Sequence, residues 1–228
     1  SESSRALTEE TARGSNAVLV LEPAEGLEGK LKTARKGIGD YVVTVRGRAA
    51  HSGLNFSAGA SAIVELAKQI EVIAGFSDTA RGITVNPGLI SGGSRVNVVA
   101  AEARVECDMR IVELGQAEEV ERKFRALKPF DPRCSIEVTG GLNRPPMERR
   151  VSEGLFALAQ KAAGELGLEL GETLSGGGSD GNFTAALGVP TLDGLGPVGD
   201  GAHAAHEHVV IERLPERTAL LAKLIQAI

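Results

Sequence analysis

Residues 103–111, ARVECDMRI, alternate without a break: Val105, Cys107, Met109 and Ile111 fall on one side, Arg104, Glu106, Asp108 and Arg110 on the other. A period of two marks a strand with one face on a core and one face uncovered, so Arg110 stands on the open face. The same half-buried pattern spreads outward. DYVVTVR (40–46) puts Tyr41, Val43 and Val45 on one face, and ITVNPGLIS (83–91) and SIEVTGG (135–141) read as further strands. Between them, Ile63, Leu66, Ala67, Ile70 and Ile73 predict one amphipathic helix, and Ala117, Val120, Phe124 and Leu127 another. The order β-α-β-β-α-β is that of a ferredoxin-like split unit. Gly37 and Gly39 at its entrance and Gly140 and Gly141 at its exit predict two adjacent flexible crossings, the layout of a hinged insertion.

The flanking sequence has a different pattern. After a polar helix (SSRALTEETAR, 3–13), NAVLVLEPAEG (16–26) contains a continuous apolar run, as expected of a parallel strand covered on both faces. Past residue 142 come a helix with Leu155, Leu158, Ala159, Ala162 and Leu166 as its stripe and a glycine-rich loop, SGGGSDGNF (175–183). A buried strand, VPTLDGLG (189–196), and a closing helix (214–228) follow. The expected fold is therefore α/β. Residues 1–35 and 142–228 form an incomplete α/β sheet domain, interrupted by a ferredoxin-like α+β domain at 36–141.

Composition narrows the function. Of 228 residues 42% are apolar, enough for a core, while a net charge of −5 and 3% aromatics argue against nucleic acid as a partner. No apolar run approaches the roughly 20 residues that cross a bilayer, and SESSRALTEE lacks the layout of a signal peptide. Cys107 and Cys134 read as buried thiols in a reducing compartment, which favours the cytoplasm.

Several residues carry candidate chemistry, each with an ordinary alternative. GDGAHAAHEHVVIERL (199–214) holds His203, His206 and His208, three of the chain's four histidines. A zinc site needs three or four ligands, and this spacing is not H-E-x-x-H, so the loop is either part of a site or simply solvated. Glu22, where a strand ends, is a site candidate or a carboxylate facing water. The glycine-rich loop offers backbone N–H groups to an anion, or is a tight turn needing positive φ. Arg110 and Asn97, read as lying on neighbouring strands, present a carboxylate-binding fork and an amide N–H, or decorate an open sheet. His51 is a lone loop histidine. No G-x-S-x-G elbow or activated cysteine supports covalent catalysis.

The order LEPAEG, GRAAHSG, GGSRVNVV, DMR, GGGSDGNF and GAHAAHEHV, from residue 21 to 209, resembles the M20 family of zinc metallopeptidases, its glutamate carboxypeptidase branch most of all. The resemblance implies a lid that makes a homodimer contact, inserted into a two-zinc catalytic domain. It makes Glu22 a ligand to one zinc and His203 a ligand to the other, with Glu207 completing the spacing and His206 and His208 incidental. His208 stands where the family generally has an aromatic residue. It makes His51 the lid histidine that reaches the partner subunit's site and steadies the tetrahedral intermediate. Asn97 and Arg110 would hold the substrate's carbonyl and terminal carboxylate, and Gly177, Gly178 and Ser179 would face the substrate. The family's other ligands, a His-x-Asp, a bridging Asp and a Glu-Glu pair, match nothing here and are expected upstream of Ser1. The implied function is the C-terminal part of a dizinc exopeptidase or amidohydrolase acting on a small peptide or N-acyl amino acid, with the chain alone inactive. The alternatives are an N-acyl amino acid deacylase or desuccinylase, and a metal-free dimerisation or ligand-binding protein.

Overall fold

The computed structural model describes residues 3–228 and divides into two units, one holding the residues up to Lys36 together with Arg144–Ile228, the other Gly37–Asn143. In chain order the elements are α1 (Arg5–Arg13), β1 (Val18–Leu19), β2 (Leu31–Arg35), β3 (Gly37–Arg46), α2 (Ala62–Ala74), β4 (Thr84–Gly92), β5 (Glu102–Ile111) and α3 (Leu114–Arg125). They continue as β6 (Ser135–Arg144), α4 (Arg149–Glu165), β7 (Glu172–Ser175), α5 (Gly181–Ala186), β8 (Thr191–Leu192), β9 (Gly199–Asp200), β10 (His208–Val209) and α6 (Leu214–Ala227). No helix among the described residues is long and apolar enough to cross a membrane.

The inserted unit follows its alternation closely. Its sheet has the order β4-β5-β3-β6, the ferredoxin-like arrangement, with β5 antiparallel to both β3 and β4. Register places Tyr41 opposite Cys107 and Val43 opposite Val105, so the inward residues of both strands share one face. Leu66 and Ile73 of α2 and Val120 and Phe124 of α3 close over that face, with Tyr41 stacked on Phe124 at 4.1 Å between ring centroids. Each such side chain contributes about 1.5–3 kcal/mol of burial.

Two expectations change here. The buried stripe of α2 is Ala62, Glu65, Leu66, Gln69 and Ile73, whereas Ile63 and Ala67 are exposed. The Glu65 carboxylate, 2% exposed, accepts from Gln69 Nε2 at 2.7 Å and from the backbone N–H of Phe130 and Asp131 at 2.9 and 3.0 Å. Gln69 also donates to the Lys128 carbonyl at 2.9 Å. A fully hydrogen-bonded polar pair can be buried, and hydrophobic periodicity does not register it. The hinge glycines, in turn, lie inside paired strands. Gly140, at φ 97°, is so close to β3 that a Cβ would sit 2.0 Å from the Asp40 carbonyl oxygen, so glycine there serves close strand approach.

The other unit is built from three short ladders. β1 pairs with β8 and β2 with β7, both parallel, while β9 and β10 form an antiparallel pair. The first and third sections of the chain thus pair with each other, though in separate two-stranded pieces and not in one sheet. The apolar run around Val18 yields only two paired residues, both half-buried, and Leu21 is exposed; among the described residues β8 is the one strand that flanks it. Leu155, Phe156 and Ala159 of α4 and Leu224 of α6 pack with Leu31, Leu192 and Leu195 into the core of this unit. Both cysteines are free and buried, and burial pushes the Cys107 thiol up to about 11.

Burial alone would raise the Glu65 pKa, but the bonds from Gln69, Phe130 and Asp131 hold it below the ordinary carboxylate value. Its stabilisation is therefore fully present above the unfolded pKa of about 4.3 and is lost as pH falls through the lower folded value. Replacing Glu65 by Ala strands two backbone N–H groups and should cost about 3 kcal/mol at pH 7 in urea unfolding. The difference from the parent protein should shrink below about pH 4.

Candidate functional site

The glycine-rich loop is organised by a buried ion pair. Asp193, directly after β8, is 0% exposed, and Arg35, the last residue of β2, is 4% exposed. Arg35 Nε and Nη2 donate to the two carboxylate oxygens at 2.7 and 2.9 Å, a two-pronged geometry that matches guanidinium to carboxylate. Arg35 Nη1 reaches the Gly177 carbonyl at 3.0 Å, and Asp193 accepts from Ser179 Oγ at 2.5 Å. Asn182 ties the loop to the rest of this unit: its Oδ1 accepts from Ser179 N at 2.9 Å and its Nδ2 donates to the carbonyls of Pro145 and Lys36 at 2.8 and 3.2 Å. Arg144 donates to Ser179 O and Asp180 Oδ1 at 2.8 and 3.1 Å while its guanidinium lies 4.3 Å from the Phe183 ring centroid.

This network corrects one site expectation. Ser179 is buried, its hydroxyl held by Asp193, so it shapes the loop from within, and it is Gly176, Gly177 and Gly178 that are exposed. None of these three glycines has a positive φ, and a Cβ at Gly176 or Gly177 would meet nothing within 4 Å. Neither a strained turn nor packing inside the chain requires glycine at those two positions, which leaves room for a group arriving from outside.

Glu22 and His203 occupy exposed loops of this unit. Glu22 follows β1, with its carbonyl accepting from Gly196 N at 3.0 Å. His203, in the connection from β9 to β10, has φ 65°, a left-handed conformation that costs a residue with a Cβ about 1–3 kcal/mol, and its N–H donates to Glu207 Oε2 at 3.4 Å. His208 sits in β10 opposite Asp200, its Nδ1 3.1 Å from the His206 carbonyl. Among the described residues no three His, Cys, Asp or Glu side chains are placed to hold a metal ion. The donor types of Glu22 and His203 suit zinc, but one carboxylate and one imidazole fall short of the three or four protein ligands a zinc site needs. The described residues do not by themselves make a zinc site.

In the inserted unit the structure brings His51 and Asn97 together and separates both from Arg110. Val99 N donates to Ala50 O at 2.9 Å and Ser52 N to Asn97 O at 3.0 Å, and His51 bridges Val98, so the two exposed loops run side by side. His51 Nδ1 accepts from the backbone N–H of Gly53 and Leu54 at 3.1 and 3.2 Å. A ring nitrogen that accepts carries no proton, so the neutral imidazole bears its proton on Nε2. Asn97 lies in the turn that follows β4, which ends at Gly92, and not on a strand beside Arg110 as predicted. Arg110 stands opposite Ile38 and Thr84, its Nε 2.9 and 3.1 Å from the Asp108 carboxylate oxygens, whereas the loops of His51 and Asn97 lie past the opposite end of β5. Across the ten residues of β5 that separation is roughly 30 Å at about 3.4 Å per residue. A single unit cannot offer both to one small molecule.

Sequence reasoning missed Arg35, Asp193 and Arg144. The one trace of the ion pair is a charge closing each of two short strand-like stretches, LKTAR and VPTLD, and its partners lie 158 residues apart.

Comparison with known proteins places these features. Residues 33–128 match the M20 family described as the peptidase dimerisation domain. Carboxypeptidase G2 from Pseudomonas sp. (strain RS-16) is 28% identical over 230 residues, covering 97% of this chain and 55% of that protein. The aminopeptidase PepT of Bacillus cereus superposes with a TM-score of 0.76 at 22% identity over 98% of this chain and 62% of the other. A tripeptidase of Staphylococcus aureus does so with 0.76 at 24% identity, over 93% and 57%. The chain spans about half the length of the curated relatives it matches.

Asp193→Asn removes the charge that compensates buried Arg35 and should destabilise the protein by about 3–5 kcal/mol in urea titration. For His51, long-range proton–nitrogen NMR spectra of the neutral ring should show the Nε2–H tautomer; a proton on Nδ1 would contradict the bonds from Gly53 and Leu54.

Proposed function

We propose, on the premise that the chain belongs to the M20 peptidases, that it is part of a metal-dependent hydrolase that cleaves a peptide or amide bond beside a carboxylate-bearing amino acid. The observation that carries this reading is the paired donors of the lid. His51, with Nε2–H as its remaining donor, stands beside Asn97 on an exposed edge, an arrangement suited to the negative charge that develops on a carbonyl oxygen during acyl transfer. Arg110, whose guanidinium is held by Asp108, would meet the free carboxylate of the substrate by a charge-assisted bond. Because roughly 30 Å of extended strand separates them, His51 and Asn97 of one copy act with Arg110 of another. A homodimer follows. The edge strand β4, with Leu89 and Ile90 exposed, supplies an outer strand edge for that contact.

In a longer protein, Glu22 and His203 would each supply one ligand to a zinc pair whose other ligands are not among the described residues. Bound zinc would supply an activated water. The exposed backbone at Gly177 and Gly178 faces the substrate, and Ser179, Arg35 and Asp193 hold it there. The buried, free cysteines favour a cytoplasmic protein.

Elemental analysis and an N-acyl glutamate assay, run on this chain and on a polypeptide extended at its N-terminus, test the reading. Two zincs and hydrolysis in the longer chain alone are expected, with His51→Ala lowering kcat by about 10²–10³ at unchanged metal content. No tight zinc and no hydrolysis in either would leave dimerisation or ligand binding as the function.

A further inference from the structure

The two most exposed large apolar side chains among the described residues are Leu54, at 84%, and Val96, which is fully exposed. They stand at the two polar candidates of the lid. Leu54 donates its backbone N–H to His51 Nδ1 at 3.2 Å, and Val96 directly precedes Asn97 in a turn closed by Val98 N on the Arg95 carbonyl at 3.1 Å. Phe56, also exposed, continues the first of these loops. Fully solvated apolar side chains leave about 1.5–3 kcal/mol each of burial unrealised, and several around one spot mark a surface that is covered in use.

We infer that Leu54 and Val96 form apolar flanks to the His51 and Asn97 donors and select substrates whose acyl group is aromatic or branched aliphatic over those with a charged acyl group. The inference rests on the reading that these donors meet the scissile carbonyl. Any carbonyl within hydrogen-bond reach of His51 Nε2 and the Asn97 amide brings its own substituent against the neighbouring side chains. Leu54 and Val96 would desolvate a benzoyl or isovaleryl group there at a gain, whereas a succinyl carboxylate would lose hydration against them. Arg95, on the same turn as Val96, is the residue that would favour the opposite choice, so it belongs in the test.

The experiment measures kcat/KM of the N-terminally extended, zinc-loaded protein for N-benzoyl-, N-acetyl- and N-succinyl-glutamate. The parent should favour benzoyl over succinyl by about tenfold or more, and Leu54→Ser and Val96→Ser should each cut the benzoyl-to-acetyl ratio by about tenfold. Both side chains are exposed, so thermal midpoints should hold. Hydrolysis with a ratio that neither variant moves would overturn the inference and leave the function standing. A preference for succinyl that Arg95→Ala abolishes would overturn it too, as would variants that shift the monomer–dimer equilibrium with selectivity intact, which would assign the patch to a second copy. A zinc-loaded parent that hydrolyses none of the three would overturn the functional reading and this inference with it.

Discussion

The buried pair between Arg35 and Asp193 is the constraint on which the candidate loop depends. Taking a guanidinium and a carboxylate out of water is costly, and their attraction offsets that cost only when the geometry is good and the remaining donors and acceptors are satisfied. Here they are: the third nitrogen of Arg35 reaches Gly177 O, and Asp193 also holds the Ser179 hydroxyl. The pair joins the ends of β2 and β8 and thereby fixes the start and finish of residues 177–179. Its contribution is geometric specificity as much as stability. A loop carrying three consecutive glycines would otherwise sample many conformations, and this pair selects one that leaves its backbone exposed.

The inserted unit meets a different requirement with different means. Its sheet is a rigid spacer: a hydrophobic face covered by α2 and α3 holds ten-residue strands in register, and the candidate residues stand at the two ends. Neither end is a complete constellation, and each makes chemical sense when paired with groups supplied by another molecule. The satisfied Glu65–Gln69 pair contributes to that rigidity by tethering residues 128–131 to α2 through hydrogen bonds that compensate its burial.

Much of this was legible in the chain itself. Strict alternation in 103–111 placed Val105, Cys107, Met109 and Ile111 inside and Arg110 outside, because a strand with one wet face has no other way to arrange them. The β-α-β-β-α-β order followed from the same periodicities, and the ordered short motifs pointed to the family whose dimerisation-domain model residues 33–128 match. The errors have a common origin. Ile63 and Ala67 count as inward on apolarity alone, Ser179 joins the substrate-facing loop only through the family resemblance, and Asn97 is assigned to a strand neighbouring that of Arg110 although it lies in the turn after β4. Each depends on which polar group finds a partner in space.

By itself the sequence determined the period of every long element, the inward face of the inserted sheet and the identity of the residues able to bind or transfer protons. Those properties are local, set by backbone geometry and by the cost of leaving apolar surface in water. Only the tertiary structure decided that Arg35 closes on Asp193 across 158 residues, that Glu65 belongs inside, that the backbone N–H groups of Gly53 and Leu54 fall on His51 Nδ1, and that Arg110 lies a strand's length from Asn97. Hydrogen bonds and ion pairs form between residues of any sequence separation, and whether a polar side chain faces solvent or the core rests on a partner that no local pattern records.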